Sequence, residues 1–290
     1  MTVSRTSLET RHDFGLVVST ELCPGLNVHV LGKPLDMRLC EFTHPTDMAQ
    51  REVRDVYFEL SERLKNFGVS CCLLPKINES NAKFGETESD VFDLEFRTSK
   101  GVPVYKNRNS IDAFSLPEGY SCLMRSADCP TLVLFHEKSG TVVVAHCSRD
   151  SLLCRQEILT GFKDRQYSTV IYPAVSKFEE SRISLHTIRA HIICGIAGKN
   201  FGHGPKHRQY GMYNQALAGF VEKRYGTNCF YGDPRDGHIE LHKVIQAQLS
   251  LCGVTKVTHD GLDTFSDPRL HSNRARDIGR NGVLVTNSMK

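Results

Sequence analysis

Two short apolar runs, residues 131–135 and 141–145, stand on either side of Glu137-Lys138-Ser139-Gly140, and nothing else in the chain constrains the fold as much. Runs of this length, rich in valine and leucine, read as strands, and the polar spacer closing on glycine reads as the turn of a hairpin. The step Ser126-Ala127-Asp128-Cys129-Pro130 precedes the first run and Ala145-His146 ends the second. A thiol and an imidazole are thereby placed at the ends of two neighbouring strands. Such a pair suits a metal such as zinc or copper, and it equally suits a nucleophile and its base. The plainer alternative is a buried thiol beside a hydrogen-bonded histidine.

The bulk numbers limit the remaining choices. At 290 residues, 40% apolar and 24% charged, the chain is long enough for a sizeable core in one large domain or two small ones. A net charge of +3 is too small to argue for nucleic acid or an anionic membrane surface. No stretch approaches eighteen uncharged apolar residues, so no membrane span is expected. Residues 1–14 carry charges and no apolar core of a signal peptide, so the eleven cysteines are expected as reduced thiols in a cytoplasmic protein. No CxxC pair suggests a zinc knuckle.

A helix is expected from the Asp47/Gln50 capping-box spacing through the stripe Val53, Val56, Leu60 and Leu64 to the stop at Gly68. A buried strand at 69–74 and a long polar connection over 76–110 follow. Beyond it the patterning predicts strands at 121–125, 168–172, 191–196 and 254–258, and helices at 151–162, 212–225 and 239–252. An arginine-rich polar tail closes the chain. Residues 1–46 read as an irregular N-terminal segment, with strand-like pieces at 16–19 and 27–31, packed on a single domain over 47–290. Helices and strands mix without strict alternation, which favours an α+β or mixed-sheet α/β domain over a Rossmann fold.

Three further groups of residues invite a chemical reading. Arg269, Arg274, Arg276 and Arg280, with Gly279 and Gly282, could grip phosphate or carboxylate, or form a solvated basic face. Gly195-Ile196-Ala197-Gly198-Lys199-Asn200 fails as a phosphate loop, because Ile193 stands where the first glycine belongs and Asn200 where a hydroxyl should ligate magnesium. His203 and His207 are four apart, but Gly202, Gly204 and Pro205 oppose the helix that would bring them together.

The order helix, strand, Ala-Asp-Cys-Pro, hairpin, Ala-His, then Ile192-Ile193-Cys194-Gly195-Ile196-Ala197-Gly198, resembles the YfiH or laccase-domain family. The helix closing at Gly253 and the segment Asp263-Thr264-Phe265-Ser266 … Arg274 … Gly279-Arg280 extend the likeness over about 47–287. The resemblance implies a mixed α/β sandwich with a surface pocket, acting on purine nucleosides by phosphorolysis or adenosine deamination, with a Cys-His-His centre that usually holds zinc. It assigns Cys129 and His146 to that centre, as metal ligands or catalytic groups, with Asp128 beside them. Asn78 falls where the first histidine of a Gln-x-His-Gly motif belongs, which leaves the third ligand unknown and makes Cys147 the nearest candidate. Arg149 stands one residue before the arginine of the family's Gly-Trp-Arg, and the tryptophan is missing. Arg149, Arg274, Arg280 and Asn78 are the residues expected to hold substrate or phosphate. The implied partners are a purine nucleoside and phosphate, with no nucleic acid and no membrane. Two ligands do not set up a multicopper cluster. The departures keep two alternatives open: a metal-free Cys-His hydrolase or deamidase, and a non-catalytic binding relative.

Overall fold

In the computed structural model, described for residues 15–33, 37, 58, 60–77, 84–85, 92–96, 101–107, 110–161 and 169–290, the strands build two mixed sheets. The strands are β1 (Leu16–Cys23), β2 (Leu26–Leu31), β3 (Cys72–Leu74), β4 (Phe84–Gly85), β5 (Phe92–Phe96), β6 (Val104–Asn107) and β7 (Ala113–Ser115). They continue with β8 (Ser121–Ser126), β9 (Thr131–His136), β10 (Thr141–His146), β11 (Arg189–Ile193), β12 (Lys256–His259) and β13 (Asn281–Asn287). One sheet runs β1-β2-β13-β8-β3-β6-β5 and the other β12-β11-β9-β10-β7-β4.

The predicted hairpin is β9–β10, antiparallel, with His146 opposite Thr131. Both strands are buried on both faces, which explains why they read as continuous apolar runs rather than alternating ones. One face carries Leu132, Leu134, Val143 and Ala145 against the helices. The other carries Val133, Phe135, Val142 and Val144 against Val28, Met124 and Val285 of the seven-stranded sheet. The outer face of that sheet is covered at Leu123 and Leu284 by Leu60 and Leu64. Each such side chain taken out of water stabilises the fold by about 1.5–3 kcal/mol. The result is a mixed α/β sandwich, as expected.

Several local readings need correction. The strand pieces at 16–19 and 27–31 belong to a full β1–β2 hairpin, and β2 pairs with β13 through Val30 opposite Val283. Residues 16–31 are therefore sheet, not an irregular segment. The polar tail likewise hides β13, which lies between β2 and β8 with Val283, Leu284 and Val285 buried. The strand expected at 168–172 is replaced by the helix Ile171–Glu180. Its buried positions Ile171, Ala174, Val175 and Phe178 follow helical spacing, and Pro173 sits in the first turn, where an N–H has no intrahelical acceptor. The single helix expected at 151–162 is two, Arg149–Leu152 and Arg155–Thr160, parted by an extended Leu153 and stopped by Gly161 in the left-handed conformation.

The helices Gly211–Tyr225 and Leu241–Leu251 and the strand β12 match the sequence reading within two residues. Of the helix expected from residue 47, positions 60–65 are helical and Gly68 turns the chain at φ +71°; its first half lies outside the described residues. Much of 76–110 also lies outside them, but β4, β5 and β6 show that the connection is partly sheet. Among the described residues no helix is long and apolar enough to cross a membrane.

Candidate active site

The carboxyl ends of β3, β6 and β8 point the same way, because β3 is parallel to both of its neighbours. A cavity of about 490 Å³ opens over these ends and the end of β10. Loops beyond carboxyl strand ends are where open α/β sheets commonly take ligands.

The hairpin delivers its two terminal residues to this cavity, as the sequence reading required. Cys129 is partly exposed on the turn after β8, and its carbonyl accepts a 2.6 Å hydrogen bond from the Ser126 hydroxyl. His146 is almost wholly buried at the end of β10, with its amide donating to the Asp112 carbonyl at 2.7 Å. The amide of Cys147 donates to the Pro130 carbonyl at 2.8 Å, which ties the two strand ends together. Asp112, fully buried just before β7, sets a carboxylate oxygen 3.7 Å from His146 Nδ1. Three groups thus follow one another: Asp112, His146, Cys129. Burial acts most strongly on His146 and disfavours its charge. The negative charge of the Cys129 sulfur and of the Asp112 carboxylate outweighs it and pushes the imidazole up to about 10. A histidine so placed keeps a proton at neutral pH.

Asp128 lines the cavity, and its carboxylate is hydrogen-bonded to the closing segment. One oxygen accepts from the hydroxyls of Thr264 (2.9 Å) and Ser272 (2.7 Å), and the other from the Arg274 amide (2.9 Å). These bonds fasten the closing segment 264–274 over the cavity. Burial still prevails over them and raises the carboxyl. The segment 194–197 forms an adjoining wall: Gly195 has φ +132°, and a Cβ there would lie 2.8 Å from Pro130 Cγ. Asp263 holds the Ala197 amide at 3.0 Å and the Asn200 amide nitrogen at 3.2 Å, so this stretch is braced structure.

The expected arginines reach the cavity with different degrees of engagement. Arg149 lies in a two-bond pair with Asp150 at 2.7 and 3.0 Å. Arg274 stacks its guanidinium 5.0 Å from the centre of the Phe201 ring. Arg280 lines the cavity and donates to its neighbour's carbonyl, Gly279, at 3.1 Å. Asn78 lies outside the described residues. Cys147 is wholly buried in the helix-side core, which removes it from the cavity as a third ligand. Among the described residues no group of three His, Cys, Asp or Glu side chains could hold a metal ion. Cys129 and His146 supply two of the donors of a zinc centre, and the described donors do not fit a closed one.

Sequence reasoning missed four residues here. Asp112 is a lone acid before a short apolar strand, and only the pairing of β7 with β10 brings it to His146. His203 and His207 have no helix to bring them together in the sequence reading. The absence of a helix is confirmed, and His207 is exposed, but His203 is buried on the cavity wall with Nε2 lacking a partner. Burial, with Arg149 and Arg274 nearby, pushes it down to about 3. Arg125 and Lys106, both nearly buried, also face the cavity. A cation following the buried run Cys122-Leu123-Met124 was the available signal for Arg125. Among the described residues six cationic side chains line the cavity (Lys76, Lys106, Arg125, Arg149, Arg274, Arg280) against two carboxylates (Asp128, Asp150), so this lining favours an anion.

Comparison with known proteins now bears on this arrangement. The fold is similar to the hypothetical protein YfiH of Bacillus licheniformis, at 14% identity, with TM-score 0.64, 95% of this chain covered and 98% of that one. It is similar to YlmD of Geobacillus stearothermophilus, at 13% identity, TM-score 0.61 and coverage of 91% and 92%. It is also similar to the Neisseria meningitidis protein NMB0706, at 15% identity, TM-score 0.59 and coverage of 91% and 95%. No curated protein matches. Residues 89–288 match the family described as multi-copper polyphenol oxidoreductase laccase, a span that takes in Asp112, Cys129, His146 and the closing segment. With that match over most of its length and the YfiH-type sandwich around its cavity, the chain belongs to this laccase-domain family.

Proposed function

We propose that the protein is a purine nucleoside enzyme that cleaves the N-glycosidic bond with phosphate, deaminates adenosine, or does both. The observation that carries this reading is His146, held between Cys129 and Asp112 on a cavity rich in cations. In phosphorolysis a purine leaves with an electron pair on its ring nitrogen, and a protonated imidazole can supply the proton. The Asp112 carboxylate keeps that imidazole oriented and charged. Arg274 and Arg280 are suited to a phosphate oxygen, which attacks the sugar carbon as the base departs. Phe201, with Arg274 over its face, offers an aromatic surface at the cavity wall. If zinc binds, Cys129 and His146 would hold it and it would polarise the reacting group; no step above depends on it.

Incubation with adenosine, inosine and methylthioadenosine, with and without phosphate, tests the reading by chromatography. Phosphate-dependent release of free base, or inosine from adenosine, is expected, and no product in any mixture would overturn it.

One observation favours a second reading. The sequence Asp112, His146, Cys129 is also the order of orienter, base and nucleophile in a thiol hydrolase or deamidase. Iodoacetamide separates the two. A hydrolase requires Cys129 to alkylate well ahead of the other thiols, and alkylation at the common rate excludes it.

A further inference from the structure

The chemistry proposed above uses one side of the cavity. On the other side, Arg125 closes β8 with 6% of its surface exposed. Its Nη2 donates to the Pro75 carbonyl at 3.2 Å, while Nε and Nη1 are buried without a hydrogen-bond partner. A guanidinium binds through paired, coplanar N–H groups, and donors left buried and unanswered cost free energy. Arg125 lines the cavity, while Nε and Nη1 themselves are shielded from solvent.

Two more cations share this place for a topological reason. Lys106 lies on β6 opposite Leu74 of β3, and Lys76 follows β3 by two residues. Because β3, β6 and β8 are parallel, their carboxyl ends bring Lys76, Lys106 and Arg125 to one corner of the cavity. Of the two carboxylates among the described residues lining the cavity, Asp128 is engaged by the closing segment and Asp150 by Arg149. Arg280 adjoins this corner, because Asn281 and Gly282 of β13 pair with Ser126 and Arg125, whereas Arg274 comes from the closing segment. Cys129 is four positions after Arg125, so their Cα atoms are at most about 14 Å apart. One elongated ligand can touch both.

We propose that Arg125, Lys106 and Lys76 form a second anion subsite that takes a phosphate carried by the ligand itself, so that the substrate is a nucleoside monophosphate. This assignment rests on the purine reading above for the identity of the base. Nε and Nη1 lie on opposite edges of the guanidinium, so a phosphate oxygen reaching either one would satisfy one of these donors.

The test is equilibrium binding by calorimetry of adenosine, adenosine 5′-monophosphate, ribose 5-phosphate and inorganic phosphate to the wild-type protein and to Arg125→Met. In the wild type the monophosphate should bind at least about tenfold tighter than adenosine, the scale of one or two charge-assisted hydrogen bonds. In Arg125→Met that ratio should fall to about one. The apo variant should melt at or above the wild-type temperature, because an unanswered buried cation has been removed. A variant melting well below it would mark Arg125 as a structural group and overturn the assignment; the wild-type comparison needs no variant. Equal affinity for adenosine and its monophosphate in the wild type would overturn the subsite and leave the purine reading standing. Tight ribose 5-phosphate with silent adenosine would overturn the purine reading and leave the subsite standing. Inorganic phosphate that binds the wild type and not the variant, with the monophosphate no tighter than adenosine, would reassign the corner to free phosphate.

Discussion

The two sides of the cavity are built on opposite electrostatic plans. On the six-stranded-sheet side, His146 is matched in charge by Asp112 and Cys129, although Nδ1 stands 3.7 Å from the Asp112 carboxylate and makes no hydrogen bond. On the seven-stranded-sheet side, Arg125 keeps two buried donors without a partner, among lysines. The difference separates two tasks. Groups that move a proton must be oriented before substrate arrives, whereas groups that recognise an anion are left for that anion to complete.

The largest expected effect breaks the balanced side. Removing Cys129 or His146 by substitution with alanine should lower turnover by about a thousandfold or more, measured as kcat on whichever nucleoside reacts. Asp112→Asn should lower kcat by about a hundredfold with little change in KM, because orientation and charge of His146 are lost while the cavity is kept. A loss confined to KM would place Asp112 among binding groups instead.

Asp128 sharpens the comparison, because it lies beside Cys129 but acts on the fold. Asp128→Ala removes three hydrogen bonds from the closing segment, a loss of about 2–4 kcal/mol and roughly 3–7 °C in melting temperature. Activity assayed well below that temperature should fall far less than in Cys129→Ala. A collapse of kcat with an unchanged melting temperature would instead put the Asp128 carboxylate in the reaction.

A separate effect is on pH. Burial, the main cause, lowers His191 and His242 to about 4 and His203 to about 3. Each is neutral in both states above pH 6.5. Below it the unfolded chain takes up protons that the folded one refuses, so stability falls from about pH 6.5 down to the folded values and then levels. Each fully buried histidine contributes at most about 1.4 kcal/mol per pH unit in that window. Urea titrations at pH 7.5, 6, 5 and 4 check this, and a midpoint rising on acidification would contradict it.

What the sequence disclosed follows the range of the interactions. The β9–β10 hairpin was legible because both runs and their turn are contiguous, and it carried Cys129 and His146 with it. The helix Leu241–Leu251 was legible from its own periodicity. The seven-stranded sheet was not, because β2 and β13 join residues about 250 apart, and no local pattern reports such pairing. Val170 and Ile171 looked like strand because the helical repeat becomes visible only with Ala174, Val175 and Phe178. His203 was dismissed on helical spacing, a sound argument about His207 that says nothing of a loop delivering one histidine to a cavity. Arg125 was hidden by its own strand, whose face is set by neighbours far along the chain.

The central claim is that the balanced side performs glycosidic cleavage or deamination of a purine nucleoside. Product analysis by chromatography of the wild-type protein with adenosine and inosine, in phosphate and in phosphate-free buffer, beside Cys129→Ala, tests it most directly. The account predicts free base that appears only with phosphate, or inosine from adenosine, in either case lost in the variant. No product from the wild type, or equal product from Cys129→Ala, would contradict it.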